Sequence, residues 1–196
     1  MPPLVLLVRH GETTWSASGR HTGRSDPPLT DSGMEAARRL GPWLANQHVG
    51  RVLVSPLKRA KDTCQAAGFG GHAEVIDDLR EWDYGDYEGL TTSAIRAERP
   101  GWSLWRDGCP QGEDAQSVGR RADRVIAMVR QAGVVVALFS HGHFLRVLTA
   151  RWLDMAPTEG RLFALDTGAV CALGYEREQP VIRLWNLTAE AQLVRI

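Results

Sequence analysis

The stretch LVLLVRHGETTW, residues 4–15, decides how the chain folds, because five aliphatic side chains lead directly into Arg9 and His10. A continuous apolar run of this length is typical of a strand that is buried on both faces of a parallel sheet. Similar runs recur as RVLVS at 51–55 and VVVALF at 134–139, with helical periodicity between them, and shorter strand candidates lie at 73–76, 169–174 and 181–186. This alternation predicts an α/β fold: a three-layer α/β/α sandwich with a mostly parallel central sheet.

Length and composition fit one globular domain, since the chain has 196 residues, of which 43% are hydrophobic and 23% are charged. The periodic pattern gives way to aromatics and glycines at about 77–112, so we expect a small lid-like insertion there, with one short helix over 92–98. Basic and acidic residues number 23 each, so no global field favours nucleic acid or an acidic membrane surface as a partner. Recognition of an anion is therefore expected to be local.

Cysteine usage and the N-terminus indicate the compartment. The three cysteines, Cys64, Cys109 and Cys171, are scattered without CxxC spacing, which argues against a disulfide framework and a zinc ribbon. The apolar run that precedes Arg9 is too short for a signal-peptide core or a membrane span. We therefore expect a cytoplasmic protein. The seven tryptophans serve either a core or a dimer face, so a homodimer stays open.

Charged and titratable side chains follow the buried strands where each strand ends. Arg9 and His10 follow the first strand, His141 follows VVVALF, and Arg59 lies one turn into the helix that Pro56 is expected to begin after RVLVS. Because the carboxyl ends of parallel strands meet at one edge, two histidines and two arginines are expected to converge there. The helix after His141 would also direct unpaired backbone N–H groups toward that space, which favours an anion.

This constellation predicts phosphate chemistry. Guanidinium groups match phosphate oxygens with paired hydrogen bonds and repel a metal ion. A neutral imidazole is a competent nucleophile that can accept a phosphoryl group, and phosphoryl transfer needs mostly positioning and charge stabilisation. We therefore expect neither a metal nor another cofactor. The alternative for His141 and His143 is a metal pair, although no Asp, Glu or Cys cluster near them in sequence completes a site.

The reaction also needs an acid that protonates the departing alkoxide. Glu81, in LREWDYGDYEGL, is the candidate, because Trp82 and Tyr84 are placed to desolvate its carboxyl partly and so favour the protonated form. Three other acids crowd the same loop, and sequence spacing does not choose among them: Asp83, Asp86 and Glu88.

Five sequence blocks occur in order along nearly the whole chain: RHGE at 9–12, TGRSDPPLTDSG at 22–33, SPLKRAKDT at 55–63, EWDYGDYEGL at 81–90 and SHGH at 140–143. Together they resemble the histidine phosphatase superfamily, which includes the cofactor-dependent phosphoglycerate mutases. The resemblance implies a phosphoglycerate mutase-like fold and a phosphohistidine at His10. It also implies that Glu81 is the proton donor and that the phosphate is held by Arg9, Arg59 and His141.

The same resemblance implies further substrate contacts. Thr22 and Gly23 match the stretch that lines the phosphate or substrate site in this family. Ser16 follows Trp15, where the mutases usually carry an asparagine that contacts substrate.

Two features favour the short phosphatase branch of the family over the mutases. The chain is shorter than typical mutases, and between Glu88 and Glu113 the only bases are Arg96, Arg99 and Arg106. The segment WSLWRDGCPQGED at 102–114 is similar to that of acid phosphatases and sugar-phosphate phosphatases. We therefore expect a phosphoric monoester hydrolase of the histidine acid phosphatase type, acting on phosphate esters of small metabolites. The alternatives are a phosphoglycerate mutase and a non-catalytic protein that binds a phosphorylated ligand.

Overall fold

A single six-stranded sheet organises the computed structural model, which describes residues 4–188. The strands are β1 (Val5–Arg9), β2 (Val49–Val54), β3 (Ala73–Val75), β4 (Val135–Ser140), β5 (Val170–Glu176) and β6 (Gln179–Leu187). Across the sheet they lie in the order β3-β2-β4-β1-β5-β6. The first four of these run parallel, whereas β5 pairs antiparallel with β1 and β6 pairs antiparallel with β5. The mostly parallel sheet is thus confirmed.

Both faces of the central strands are covered, which explains why their sequences show no alternation of apolar and polar residues. The helices are α1 (Thr14–Ala17), α2 (Asp31–Ala45), α3 (Lys58–Ala66), α4 (Thr92–Glu98), α5 (Leu104–Asp107), α6 (Ala115–Arg130) and α7 (Gly142–Trp152). On one face of the sheet, Leu7 and Leu138 pack in a cluster with residues of α6 and α7. On the other face, Leu6 and Phe139 pack with residues of α2 and α3. The layers are therefore helix, sheet and helix, as predicted.

The start of α3 differs from the prediction. The helix begins at Lys58 rather than at Pro56, and Leu57 is its N-cap residue. The physical reason is a distant cap: the carboxylate of Asp26 accepts the backbone N–H groups of Lys58 and Arg59. A carboxylate at a helix N-terminus also interacts favourably with the helix dipole. The fold therefore joins the loop that contains Asp26 to the helix that carries Arg59.

The segment at 77–112 packs into the same apolar cluster as α6 and α7. Trp82 and Trp102 are buried there, and their indole N–H groups donate to the carbonyls of Glu113 and Gly108, each at 3.0 Å. Gly85 has a φ of +51°, and a Cβ at this position would lie 2.1 Å from the carbonyl oxygen of Pro110. The segment is thus tied closely to the body of the domain, and its opening as a lid stays a prediction.

Within the described residues, no helix is both long enough and apolar enough to cross a membrane.

Candidate active site

His10 follows β1 directly, and its backbone N–H donates to the carbonyl of Ser140 at 3.0 Å, which joins the ends of β1 and β4. Its Nδ1 atom lies 2.8 Å from the carbonyl oxygen of Gly11. Because a carbonyl only accepts, Nδ1 carries the proton and Nε2 keeps its lone pair. Burial, and then the charges of Arg59 and Arg9, holds the pKa of His10 well below its usual range. The ring is therefore a neutral imidazole with its nucleophilic nitrogen oriented by the backbone.

His141 lies beside His10, with 5.2 Å between the ring centroids. It is the N-cap residue of α7 and is fully buried. Its Nε2 lies 2.7 Å from the Oγ of Ser55, which already accepts the N–H of Leu57 at 3.3 Å. Within residues 4–188 the hydroxyl proton of Ser55 has no acceptor other than Nε2, so we assign it to this hydrogen bond and the ring proton of His141 to Nδ1. Burial, followed by the charge of Arg59, keeps the pKa of His141 well below its usual range.

Arg59 is fully buried, and most of its donors hold the loop at 22–26. Its Nη1 donates to the carbonyl of Ser25 at 2.8 Å and to Asp26 at 3.1 Å. Its Nη2 donates to the carbonyls of Thr22 and Gly23 at 2.9 and 3.2 Å. Both terminal nitrogens of Arg59 are therefore already paired, so the guanidinium cannot make the expected pair of hydrogen bonds to a phosphate. A buried guanidinium needs acceptors for its N–H groups, and the loop carbonyls supply them.

Three buried N–H donors of this region have no acceptor within residues 4–188: Nε of Arg9, Nε of Arg59 and Nδ1 of His141. The rings of His10 and His141 lie 5.2 Å apart between centroids, and the charges of Arg9 and Arg59 help to lower the pKa of both rings. Gly142 permits the close approach of Arg9, because a Cβ there would lie 3.1 Å from Cζ of Arg9. Buried donors almost always have an acceptor, so this cluster fits an anion next to His10.

Glu81 occupies the N-terminus of α7, and this corrects one expectation. Its Oε1 accepts the backbone N–H groups of Trp82 and Phe144, each at 2.9 Å, and its Oε2 accepts that of His143 at 3.1 Å. Two helix N–H groups expected to face an external anion are thus paired with this carboxylate. The role of Glu81 as the proton donor stays a prediction.

Two of the other acids of the same loop, Glu88 and Asp83, have structural partners. Glu88 accepts the backbone N–H of Gly23 through both oxygens, at 2.9 and 3.0 Å, and Asp83 pairs with Arg24 at 2.5 Å. Of the four acids that sequence spacing left open, only Glu81 lines the cavity that contains His10.

This cavity, of about 240 Å³, brings together part of the predicted site. Among the predicted residues, Arg59, His141 and Gly23 are not part of its lining, and the N–H of Gly23 is on Glu88. The lining is formed by Arg9, His10, Ser16, Gly19, Arg20, His21, Thr22, Glu81, Tyr84, Thr92, Gly142, His143, Arg146 and Leu165.

Sequence reasoning missed several lining residues. The hydroxyl of Tyr84 lies 2.7 Å from Nδ1 of His143, and the ring of His21 lies 4.7 Å from that of Tyr84. Arg146 lines the same cavity, and the spacing of three residues from His143 on α7 was an available signal, because residues three apart share a helix face. Between residues 4 and 188, no cluster of three or more His, Cys, Asp or Glu side chains is arranged to hold a metal ion.

Comparison with known proteins gives the family. The sequence profile of the histidine phosphatase superfamily (branch 1) matches residues 5–188. An acid phosphatase of Mycobacterium tuberculosis is 40% identical, with 96% of this chain and 94% of that protein covered. A sedoheptulose 1,7-bisphosphatase of Saccharomyces cerevisiae is 35% identical, with 79% and 69% covered. The solved structure of an open reading frame product of Mycobacterium tuberculosis superposes with a TM-score of 0.91 at 39% identity, covering 95% of this chain and 98% of that one. The chain belongs to the histidine phosphatase superfamily, branch 1.

Proposed function

We propose that the protein is a metal-independent phosphatase that hydrolyses phosphomonoesters of small metabolites through a phosphohistidine at His10. The observation that carries this proposal is that three buried N–H donors, on Arg9, Arg59 and His141, have no acceptor within residues 4–188, while His10 is neutral and oriented. Such donors match the oxygens of a phosphoryl group. The chemical nature of the cluster thus supports an anionic substrate whose phosphorus lies near Nε2 of His10.

Similarity and size support the same class of substrate. The two most similar named relatives described above are an acid phosphatase and a bisphosphatase, and both names denote removal of phosphate. The cavity of about 240 Å³ is smaller than the about 300–1,000 Å³ of sites for drug-sized ligands. A small phosphorylated metabolite therefore fits the site better than a macromolecular phosphoester.

In the first step, the lone pair on Nε2 of His10 attacks phosphorus, and the bond from phosphorus to the ester oxygen breaks. The departing oxygen takes a proton from Glu81 and leaves as an alcohol. Only Oε2 of Glu81 is suited to carry that proton, because Oε1 accepts two backbone N–H groups and Oε2 accepts one. Arg9, Arg59 and His141 stabilise the phosphoryl oxygens as charge develops.

In the second step, water attacks the phosphorus of phosphohistidine and the bond to Nε2 breaks. Glu81, now ionised, accepts the proton of that water, and inorganic phosphate leaves. Both His10 and Glu81 return to their starting states. The arginines supply permanent positive charge at the phosphoryl group, which is the role that a metal ion plays in other phosphatases.

Replacement of His10 tests the proposal. With p-nitrophenyl phosphate, His10→Ala is expected to lose turnover by at least about 10³-fold, because the covalent route is removed. His72→Ala is the matched control, since His72 is exposed and lies outside the cavity. Rapid mixing with ³²P-labelled ester should trap an acid-labile, base-stable phosphoenzyme in the parent protein only.

Three outcomes would contradict parts of the proposal. Full activity in His10→Ala would exclude His10 as the nucleophile. Loss of activity in EDTA, restored by a divalent metal, would overturn metal independence. Interconversion of 3- and 2-phosphoglycerate with little free phosphate would identify a mutase instead. Cytoplasmic location and a homodimer stay predictions, which fractionation and light scattering test.

A further inference from the structure

Thr63 is a fully buried residue of α3 that takes no part in the reaction steps proposed above. Its hydroxyl donates to the backbone carbonyl of Arg59, one turn earlier in the helix, at 2.8 Å. Its Oγ1 also accepts the backbone N–H of Gly11, which directly follows His10, at 3.0 Å. The second bond joins residues that are 52 positions apart in the sequence. One hydroxyl therefore links the helix that carries Arg59 to the backbone beside His10.

The direction of both hydrogen bonds is fixed by the partners of the hydroxyl. A backbone carbonyl only accepts, so the hydroxyl proton of Thr63 goes to the carbonyl of Arg59. The lone pairs of Oγ1 are then left for the N–H of Gly11, which only donates. In a buried donor–acceptor chain of this kind, each hydrogen bond strengthens the next. Gly11 is buried, and within residues 4–188 its N–H has no acceptor other than Thr63.

Gly11 occupies a position where no side chain fits. A Cβ at this position would lie 2.5 Å from the carbonyl oxygen of Gly33 in α2, so only glycine permits this close approach. Glycine also has the greatest backbone freedom of any residue, so its conformation must be fixed by its contacts. On one side of Gly11, the carbonyl of Glu12 accepts the N–H of Thr30 at 2.9 Å. On the other side, Thr63 supplies the constraint by accepting the N–H of Gly11.

The orientation of Gly11 matters because its carbonyl accepts the Nδ1–H of His10 at 2.8 Å. This hydrogen bond leaves the lone pair on Nε2 and sets the direction of the ring. We propose that Thr63 is a positioning residue: by holding the N–H of Gly11, it fixes the carbonyl that aims the imidazole of His10 at the phosphorus atom. This inference rests on the proposed function, since it concerns the aim of the same nucleophile.

Three substitutions of Thr63 test this inference with p-nitrophenyl phosphate. Thr63→Val removes the hydroxyl but keeps the branched shape, and it should lower kcat/KM by about 10- to 100-fold, because a displacement of about 1 Å is worth about 10²-fold in rate. Thr63→Ser keeps the hydroxyl and should stay within about threefold of the parent protein. Thr63→Ala removes the hydroxyl without adding a methyl group, so it answers the same question if Thr63→Val fails to fold.

Inhibition by inorganic phosphate separates the aim of His10 from the binding of phosphate. Under the proposed function, phosphate is held by side-chain N–H groups of Arg9, Arg59 and His141. Thr63 bonds to none of these groups, because its contact with Arg59 is to the backbone carbonyl. The inhibition constant of phosphate in Thr63→Val should therefore stay within about threefold of the parent value while kcat/KM falls.

Thr149→Val is the matched control. Thr149 is also a fully buried threonine inside a helix, α7, and its hydroxyl donates to the carbonyl of Leu145, one turn earlier, at 2.9 Å. In the described part of the chain, its Oγ1 accepts no N–H group. This variant therefore loses the same local bond without removing the acceptor of another segment, and its kcat/KM should stay within about threefold of the parent protein.

The outcomes separate this inference from the proposed function. An unchanged kcat/KM in Thr63→Val or Thr63→Ala would overturn the positioning role, and so would a loss that Thr63→Ser or Thr149→Val shares. A rise in the inhibition constant of phosphate that accounts for the whole loss would also overturn it, because the effect would then lie in phosphate binding. Each of these results leaves the phosphatase intact. Absence of a phosphoenzyme at His10 in the parent protein would overturn the proposed function, and this inference with it.

Discussion

Ser55→Ala examines whether the tautomer of His141 matters for phosphate binding. The hydroxyl of Ser55 lies 2.7 Å from Nε2 of His141 and is fully buried. With alanine at this position, that donor to Nε2 is removed, so the proton of His141 is no longer directed to Nδ1. An Nδ1 that carries a lone pair repels a phosphoryl oxygen, whereas an Nδ1–H donates to it.

The structure sets the size of both effects. The buried N–H of Leu57 loses its acceptor, the Oγ of Ser55, and His141 loses one hydrogen bond, which should cost about 1–3 kcal/mol of unfolding free energy. Complete loss of one donor to a developing oxyanion lowers kcat by about 10²–10³-fold. Because Ser55→Ala weakens the preference for one tautomer without removing the donor, we expect a smaller effect, a fall in kcat/KM of about 10- to 100-fold.

Ser140→Ala is a matched control for this substitution. Ser140 is also a fully buried serine at the end of a strand, and its Oγ donates to the carbonyl of Leu79 at 2.7 Å, not to the ring of His141. It should lose a comparable unfolding free energy and keep kcat/KM within about threefold of the parent protein.

The assay combines urea unfolding with steady-state hydrolysis of p-nitrophenyl phosphate at pH 7. Ser55→Ala with the expected loss of stability but with unchanged kcat/KM would refute the role of the His141 tautomer. A fall of equal size in Ser140→Ala would show that loosening of the strand ends, rather than the proton position, controls the rate.

Two further perturbations address the support of Glu81 and the titration of a buried histidine. Arg121 donates to the carboxylate of Glu113 at 2.7 Å and to the backbone carbonyl of Glu81 at 3.3 Å, so it helps to position Glu81. Arg121→Met should therefore lower kcat more than it raises KM, and it should lower the free energy of unfolding in urea by about 3 kcal/mol. An unchanged kcat would contradict a positioning role of Arg121. Burial lowers the pKa of His21 to about 4, so below pH 6.5 the unfolded chain binds a proton that the folded protein excludes, and stability falls as pH falls toward 4. Between pH 7.5 and 5, protonation of His21 in the unfolded chain lowers the free energy of unfolding by about 2 kcal/mol. Over this pH range, His21→Leu should therefore lose less unfolding free energy than the parent protein or His72→Leu. An equal loss would show that His21 does not have the lowered pKa.

Local patterns in the sequence determined the architecture and the position of the site. The continuous apolar runs before Arg9 and His141 predicted buried parallel strands, and the shared edge of such strands placed His10 beside His141. Thr30 is the N-cap residue of α2, and its side chain accepts the N–H of Gly33 at 3.0 Å, as expected of a threonine just before a helix. These features follow from the sequence because periodicity and capping depend on residues that are close along the chain.

Only the tertiary structure decided which donors and acceptors stay free. Arg59 meets the carbonyl of Ser25, which lies 34 residues away along the chain, and Glu81 caps a helix that begins 61 residues later at Gly142. Arg146 became a fixed cation in the cavity because Trp105 and the carbonyl of Gly160 lie against it. No periodic pattern in the sequence predicts such contacts, because the partner of each donor or acceptor comes from a segment that only folding brings close.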